Sequence, residues 1–295
     1  MGAIIDRLFD RVHEFLADTV YEEAHGMLSR VSNQIQDSAD RIAYTPMEWQ
    51  GGIGWGIVET VAGTAGTVIQ TVAGLILGFF IALELVQMLI EKNNLADIDM
   101  ISTVIKWVVK AFIAILIVSN AFVLIGAIFT IGQEIIVGAS LDGIDAITDI
   151  DMVAFRLALN DLSIGALLGM VFQFLILGWI FELVGIAVFL IIVGRFFEIF
   201  MYLVAAPIPL ATMANQEYRS MGNNYIKSLC ALAFQGLLML IVITIVGGLL
   251  AGSIGSLLDE AATGSGFFGI LGYFVLMIFA LMKSGAIAKS IFNAS

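Results

Sequence analysis

Three charged side chains interrupt an otherwise uncharged, largely apolar stretch, residues 162–206. They are Glu182, Arg195 and Glu198. Charges within a membrane are costly, face a bundle interior or a water-filled cavity, and usually serve a function. Arg195 and Glu198 are three residues apart, so they can pair on one helix face. The charges therefore either face a polar lumen or a subunit contact, or Arg195 and Glu198 form a neutralised pair that anchors the helix at the inner boundary.

The sequence contains no arrangement typical of an enzyme. Both histidines, His13 and His25, precede the apolar stretches and lack a ligand set at metal spacing. The glycine clusters lack the lysine of a phosphate-binding loop. Asp142 and Asp145 have the DxxD spacing of prenyl-transferring enzymes, but the helical apolar context of that motif is absent. The nearby aspartates suggest a calcium loop, but the closing glutamate of such a loop is absent. A solvated acidic loop explains them, and we expect no enzyme, metal or cofactor.

Composition indicates an integral membrane protein. The lipid bilayer is therefore a predicted partner. Of the 295 residues, 60% are hydrophobic and 13% are charged, with a mean hydropathy of +1.01. The net charge of −12 argues against a surface that holds nucleic acid by neutralising phosphates. A conduit need not bind tightly, however, so nucleic acid remains possible as passing cargo. The predicted fold class is all-α, a polytopic membrane helical bundle of about five transmembrane helices.

Residues 1–50 are predicted to form an amphipathic N-terminal helical region, because apolar residues recur there at helical spacing between charges. This region is either a helical hairpin docked on its own membrane domain or a sister subunit, or an interfacial helix lying on the bilayer. Trp49 and Trp55 follow where a belt of interfacial aromatic residues would begin. Residues 51–295 are the predicted membrane domain.

Uncharged stretches predict the crossings of this domain, because a bilayer core needs about 20 apolar helical residues. Small residues in the first and fourth crossings would let another helix approach closely, and prolines end the central helix. The predicted crossings are 59–84, 111–133, 162–206 as one very long central helix, 228–252 and 264–282. The helix-packing candidates are Gly66, Gly74, Gly78, Gly248 and Gly252, and the helix break is assigned to Pro207 and Pro209.

The loop charges predict the orientation, because Lys and Arg are enriched in short cytoplasmic loops. Basic residues number three in 91–110, one in 134–161, two in 207–227 and none in 253–266, and the C-terminal tail has two. This order predicts the N-terminus outside and the C-terminus cytoplasmic, provided that 162–206 crosses once. Such a helix would be about 68 Å long, whereas the hydrocarbon core is about 30 Å thick. Either sister subunits or partner subunits cover its protruding apolar surface, or part of the stretch is re-entrant. On the first interpretation we expect a homo-oligomer.

One part of the chain resembles a known family. The pattern is an arginine and an acid, an apolar turn or two, Ala-Pro-x-Pro, a polar loop, and a helix with Gln-Gly, running from Arg195 through Pro207 and Pro209 to Gly236. It is similar to TrbL/VirB-type polytopic inner-membrane channel subunits of conjugative type IV secretion systems, in the branch from conjugative elements of Gram-positive bacteria. The likeness covers about residues 160–250 and elsewhere rests on length and hydropathy.

The resemblance implies a channel or scaffold subunit of the cytoplasmic (inner) membrane. It would assemble with itself, a VirB-type ATPase, bitopic membrane subunits and a coupling protein. It would help to move single-stranded DNA with a bound relaxase, so that DNA is only a transient cargo. A secondary transporter or permease is the main alternative, although matched inverted halves and paired broken helices are lacking. A non-conducting membrane scaffold is the third interpretation, and gene neighbourhood separates secretion from transport.

Overall fold

The computed structural model describes residues 2–92, 100–139, 152–256 and 265–294, and nearly all of them are helical. Within that part of the chain no β-strand occurs, which confirms the all-α fold class. Short 3₁₀ segments cover Trp49–Gly52 and Thr212–Ala214. The helices are α1 (Gly2–Ala43), α2 (Ile53–Lys92), α3 (Met100–Ser119), α4 (Ala121–Gly138), α5 (Met152–Leu159), α6 (Ile164–Ala205), α7 (Pro207–Ala211), α8 (Arg219–Ser256) and α9 (Ser265–Ile291).

Among the described residues, six stretches are long and apolar enough to cross a membrane, judged by length and composition alone. They confirm the predicted polytopic helical bundle, although the sequence predicted about five crossings. The six stretches are Thr67–Ile90, Ile101–Ser119, Ala121–Gly138, Ile164–Ala205, Arg219–Leu250 and Phe267–Ile291.

The sixth candidate arises at Asn120, which separates α3 from α4 inside the predicted crossing 111–133. Helical hydrogen bonds continue across this residue: the Asn120 N–H donates to the Leu116 carbonyl at 3.1 Å, and the Leu124 N–H donates to the Asn120 carbonyl at 3.0 Å. The Asn120 side-chain amide also donates to the Leu116 carbonyl, at 2.8 Å. A side-chain donor to the carbonyl four residues earlier is common within helices. Because the ladder continues, we interpret α3 and α4 as two parts of one helix with a local irregularity at Asn120.

The central helix α6 is continuous over 42 residues. It begins and ends close to the predicted limits, 162 and 206, and confirms the one very long central helix. At 1.5 Å per residue its length is about 63 Å. Pro207 supplies no N–H to continue the ladder, so α6 ends at Ala205 and α7 begins immediately after Ala206.

The chain divides into two compact units. The first contains the described residues of 1–42, 139–192 and 238–284. Within it α1 is one uninterrupted 42-residue helix, so the predicted hairpin is wrong. The stretch between its two apolar runs contains no proline and a single glycine, Gly26, and therefore has no strong turn signal.

Helix α1 docks on other parts of the first unit, as one of the alternatives expected. The imidazole Nε2 of His13 lies 2.8 Å from the Leu162 carbonyl oxygen. The Arg41 guanidinium lies 5.3 Å from the ring centre of Phe189 on α6. Polar groups of α1 thus contact the segment that begins α6 and α6 itself.

The second unit contains the described residues of 43–138, 193–237 and 285–295. Trp49 is buried there, stacked on Phe196 of α6 with ring centres 5.1 Å apart, and it also contacts Phe200 at 5.7 Å. The expectation that Trp49 belongs to a lipid-facing aromatic belt is therefore wrong, because aromatic side chains of α6 cover it. The side chain of Trp55 lies outside the described part.

Candidate functional site

Arg195 lies buried in the second unit, on α6, with only 5% of its surface exposed. Its guanidinium donates from Nε to the Leu232 carbonyl at 3.3 Å and from Nη2 to the Ala233 carbonyl at 3.5 Å. Both carbonyls belong to α8, and each has a second lone pair that the helical ladder leaves free. Hydrogen bonds from a charged donor are stronger than neutral ones. Arg195 therefore joins α6 to the backbone of α8.

Gly236 provides the space that this arginine occupies. A Cβ atom added at Gly236 would lie 2.8 Å from Arg195 Nη2 and 2.7 Å from Cδ1 of Ile136. A second glycine, Gly132 of α4, is almost as close to α8, since a Cβ there would lie 3.0 Å from the Cβ of Ala233. The close approach of α4, α6 and α8 thus depends on glycines that the sequence did not single out for packing.

Glu198 has a different partner from the one that its spacing suggests. Its carboxylate pairs with Lys289 Nζ of α9 at 2.9 Å, with both side chains about one-third exposed. The described ion pair of Glu198 thus goes to α9, whereas the described hydrogen bonds of Arg195 go to α8. Both side chains thus make contacts to other helices, and the local pair of Arg195 with Glu198 stays a prediction.

Glu182, the third charge, lies in the first unit on an exposed face of α6. Among the described residues, no hydrogen bond or ion pair of its carboxylate is found. Its neighbours on this face are large and apolar: Trp179 is 77% exposed, and Leu183 and Ile186 are also exposed. Glu182 is therefore a carboxylate without a described partner, on an apolar surface that no described residue covers, and it is separate from the contacts of Arg195 and Glu198.

Pro207 and Pro209 lie directly after the end of α6, and four of the five predicted packing glycines lie on open faces of the described part. Pro207 is buried at the start of α7, and Pro209 lies in the same short helix. Gly74, Gly78, Gly248 and Gly252 are exposed, and a Cβ added at any of them would meet no described atom within 4 Å. No described residue occupies the space beside these four glycines. The surroundings of Gly66 are outside the described part.

A second buried charge, Glu84 of α2, was missed as a site and is only 3% exposed. Its carboxylate accepts hydrogen bonds from Lys110 Nζ at 2.8 Å, from the Gln216 N–H at 3.0 Å and from Asn215 Nδ2 at 3.3 Å. Burial of a carboxylate is tolerated when it is paired and hydrogen-bonded in this way. The available signal was that Glu84 ends one uncharged run and the oppositely charged Lys110 precedes the next.

Neighbouring contacts reinforce this cluster. The Asn215 amide also donates to Gln87 Oε1 at 2.8 Å, and the Trp107 indole donates to the Ile81 carbonyl at 2.9 Å. The polar segment after α7 is therefore bound directly to the last turns of α2, and α2 is bound to α3. The Glu84 cluster holds together three segments that are distant in sequence.

A turn before α2 carries a reciprocal cap that was also missed. Thr45 Oγ1 donates to Glu48 Oε2 at 2.9 Å, and the Glu48 N–H donates to Thr45 Oγ1 at 3.2 Å. Gln133 of α4 donates to the same carboxylate at 2.9 Å. These hydrogen bonds, with those from Thr45 first in importance, lower the pKa of Glu48 below its usual value of 4.5. The Thr-Pro-x-Glu spacing is that of a capping box and could have revealed the turn.

The described residues provide no metal site. They contain no group of three or more His, Cys, Asp and Glu side chains placed to hold an ion. The acidic segment with Asp142, Asp145, Asp149 and Asp151 lies outside the described residues. The charged groups described above can therefore join helices, bind polar ligands or contact partners.

Comparison with known proteins identifies a family. The family of TrbL/VirB6 plasmid conjugal transfer like proteins matches residues 31–207. No curated protein and no solved structure matches the chain. The matched range contains the central helix with Arg195, Glu198 and Pro207, but it ends before the polar loop and the Gln-Gly helix that also suggested the resemblance. Because the match covers more than half of the 295 residues, the chain belongs to the TrbL/VirB6-like family and is a membrane protein of conjugal transfer.

Proposed function

We propose that this chain is a channel or scaffold subunit of a conjugative type IV secretion machine, which helps to move single-stranded DNA with its relaxase across the cytoplasmic membrane. The observation that carries the proposal is the family match over residues 31–207, which includes the whole of α6. Family membership favours secretion over a secondary transporter. DNA is a transient cargo in this proposal, consistent with the acidic net charge.

The surface of α6 supports work in an assembly. At about 63 Å the helix is roughly twice as long as a hydrocarbon core is thick. Phe172, Trp179 and Leu183 are all more than 60% exposed on it. Apolar surface that extends beyond the bilayer needs a protein cover. We therefore infer self-association together with the ATPase, bitopic membrane subunits and coupling protein of the machine.

The charged residues support different roles within this function. The buried hydrogen bonds of Arg195 to α8 favour fastening of helices, which is also what a non-conducting scaffold would need. Glu182, exposed and without a described partner, is the candidate for a polar lumen or a subunit contact. Glu198 with Lys289 fastens α6 to α9. We infer no enzyme activity and no cofactor for this chain.

We further propose five crossings, with the N-terminus outside and the C-terminus cytoplasmic. The hydrogen bonds of Glu84 with Asn215 and Gln216 support this count. Groups in direct contact share one side of the membrane, so an even number of crossings separates them. One crossing by the single helix of α3 and α4 and one by α6 meet that condition, whereas three separate crossings would not.

Affinity purification from membranes of donor cells tests the proposal. We expect the tagged chain to elute as an oligomer that carries the ATPase of the machine. A tagged, unrelated polytopic protein expressed at the same level is the control for detergent-induced association. A stable monomer that brings down no ATPase from cells competent for transfer would count against the proposed function.

A further inference from the structure

A cavity of about 430 Å³ lies beside the Glu84 cluster, within the second unit. Its polar wall carries Glu84 of α2, Lys110 of α3 and Arg219, the first residue of α8. Its apolar wall consists mainly of Ile113 and Ile117, which follow Lys110 along α3 at helical spacing. The cavity thus has a charged end and an apolar side.

The polar wall retains positive charge after its internal ion pair is counted. Lys110 neutralises Glu84, but its side chain is half-exposed and an ammonium has three donors, of which the described contact uses one. Arg219 is exposed, and no described residue forms an ion pair with its guanidinium. Two cations against one carboxylate leave a net charge of +1 on this wall. The positive end of the α8 dipole adds to it.

The position of the cavity in the sequence places it at a polar–apolar boundary. Glu84 directly follows the uncharged stretch 60–83, and Lys110 directly precedes the uncharged stretch 111–133. These residues mark limits of the predicted crossings 59–84 and 111–133, and we place them at the headgroup level of the bilayer. A ligand in this cavity would therefore have its charged end at headgroup level and its apolar part alongside α3.

We propose that this cavity is a binding site for an anionic phospholipid. Lys110 and Arg219 contact the phosphate of the headgroup, and one acyl chain lies along Ile113 and Ile117. Basic pockets between membrane helices suit anionic headgroups. A neighbouring cavity of about 410 Å³ is lined by Glu84 and Glu217 without a basic residue, so the proposal is limited to the first cavity.

Lipid binding to the purified full-length protein in a neutral detergent tests this site. Phosphatidylglycerol, phosphatidylcholine and inorganic phosphate are each titrated, and the bound lipid is measured by native mass spectrometry alongside the thermal unfolding midpoint. The key variant is Arg219→Gln. Lys227→Gln is the matched control, because it removes the same charge from an exposed position two turns further along α8 and does not line the cavity.

We expect phosphatidylglycerol to bind the wild-type protein more tightly than phosphatidylcholine. Arg219→Gln should weaken that binding roughly tenfold, as expected for the loss of one charge-assisted hydrogen bond. Lys227→Gln should bind like the wild type, and Arg219→Lys should retain most of the affinity. Inorganic phosphate should produce no stabilisation that depends on Arg219.

Two results would overturn the proposal. Equal weakening by Arg219→Gln and Lys227→Gln would mean that anionic lipid is attracted by the general basic surface. An Arg219-dependent stabilisation by inorganic phosphate as large as that by phosphatidylglycerol would identify a soluble phosphate ligand in place of a lipid. Both results leave the proposed role in conjugal transfer untouched, because lipid binding and transfer are measured separately.

Discussion

At the scale of single residues, the buried side chain of Arg195 depends on the lack of a side chain at Gly236. The arginine carries a full charge into the bundle and uses carbonyl oxygens of α8 as acceptors, and the glycine leaves room for its guanidinium. This arrangement explains why an arginine can be tolerated in an apolar helix: it is hydrogen-bonded within its own chain. The buried guanidinium of Arg195 therefore requires the space that Gly236 leaves.

We expect Gly236→Ala to destabilise the protein, because the added methyl group collides with Arg195 and Ile136. Overpacking of this kind costs about 1–3 kcal/mol. The measurement is the unfolding midpoint of the detergent-purified protein. Gly248→Ala is the matched control on the same helix, since a Cβ there meets no described atom, and its midpoint should equal or exceed that of the wild type because Ala has the higher helix propensity. Equal loss in the two variants would contradict the description of the Arg195 contact.

Glu84 and Glu182 provide a second matched pair. Glu84→Gln leaves Lys110 without its partner and weakens the hydrogen bonds from Asn215 and Gln216, so we expect a loss of about 1–3 kcal/mol. The loss should fall towards the lower end, because Lys110 is half-exposed. Glu182→Gln, which makes the same change at an exposed site, should leave the unfolding midpoint of the isolated protein unchanged. The reverse order of the two effects would show that Glu84 does not hold the cluster together.

The individual charges were visible in the sequence, but their partners were not. Glu182, Arg195 and Glu198 stand out because they interrupt an apolar run. The contacts of Arg195 and Glu198 depend on how α8 and α9 pack against α6, and no local spacing encodes that packing. Glu84 was undervalued for the same reason: its acceptor role is completed by Asn215 and Gln216, more than 130 residues away.

At the scale of elements, the sequence predicted those features that depend on local residues, such as where a helix begins and ends. The limits of α6 follow from a long uncharged run that ends at Pro207, so both ends were predicted closely. The interruption at Asn120 was missed because a single asparagine in an apolar run does not interrupt the charge pattern. A hairpin was one interpretation of the N-terminal region, yet the stretch between its apolar runs has no proline and only one glycine, Gly26, to divide α1.

The turn that joins α1 to α2 should respond to acid. The pKa of Glu48 is lowered in the folded protein, so its ionised form stabilises the turn above the usual pKa of 4.5. That stabilisation is lost as the pH falls through the lowered folded value. We expect hydrogen exchange at residues 44–52 to rise as the pH is taken from about 6 to about 3, after correction for intrinsic exchange. In Glu48→Gln this rise should be absent, and an identical pH profile in that variant would rule out Glu48 as its cause.

At the scale of the whole molecule, the loop charges and the contacts of Glu84 both bear on the membrane topology. The loop charges and the contacts of Glu84 independently support the proposed single crossings of the α3–α4 helix and of α6. In the described part of the chain, no residue covers apolar faces on α2, α6 and α8 or the glycines at 74, 78, 248 and 252. These uncovered faces are where sister subunits or partners would be sought.

Cysteine labelling tests the topology directly. In a Cys230→Ala background, Asp145→Cys and Ser220→Cys should react with a membrane-impermeant reagent from opposite sides of the membrane. The Asp145→Cys variant should label in intact protoplasts, and Ser220→Cys should label only after permeabilisation. The cysteine-free background is the control for non-specific reaction. Labelling of both positions from the same side would contradict the five-crossing arrangement.

The most direct test of the central claim is the frequency of conjugal DNA transfer from donor cells in which this chain alone has been deleted in frame. We expect transfer to fall by several orders of magnitude and to return when the wild-type chain is supplied in trans. Glu182→Lys should restore it poorly despite normal membrane levels, whereas Gly248→Ala reports on whether that open face is needed. Transfer that continues at the wild-type frequency without the chain would contradict its proposed role in moving DNA.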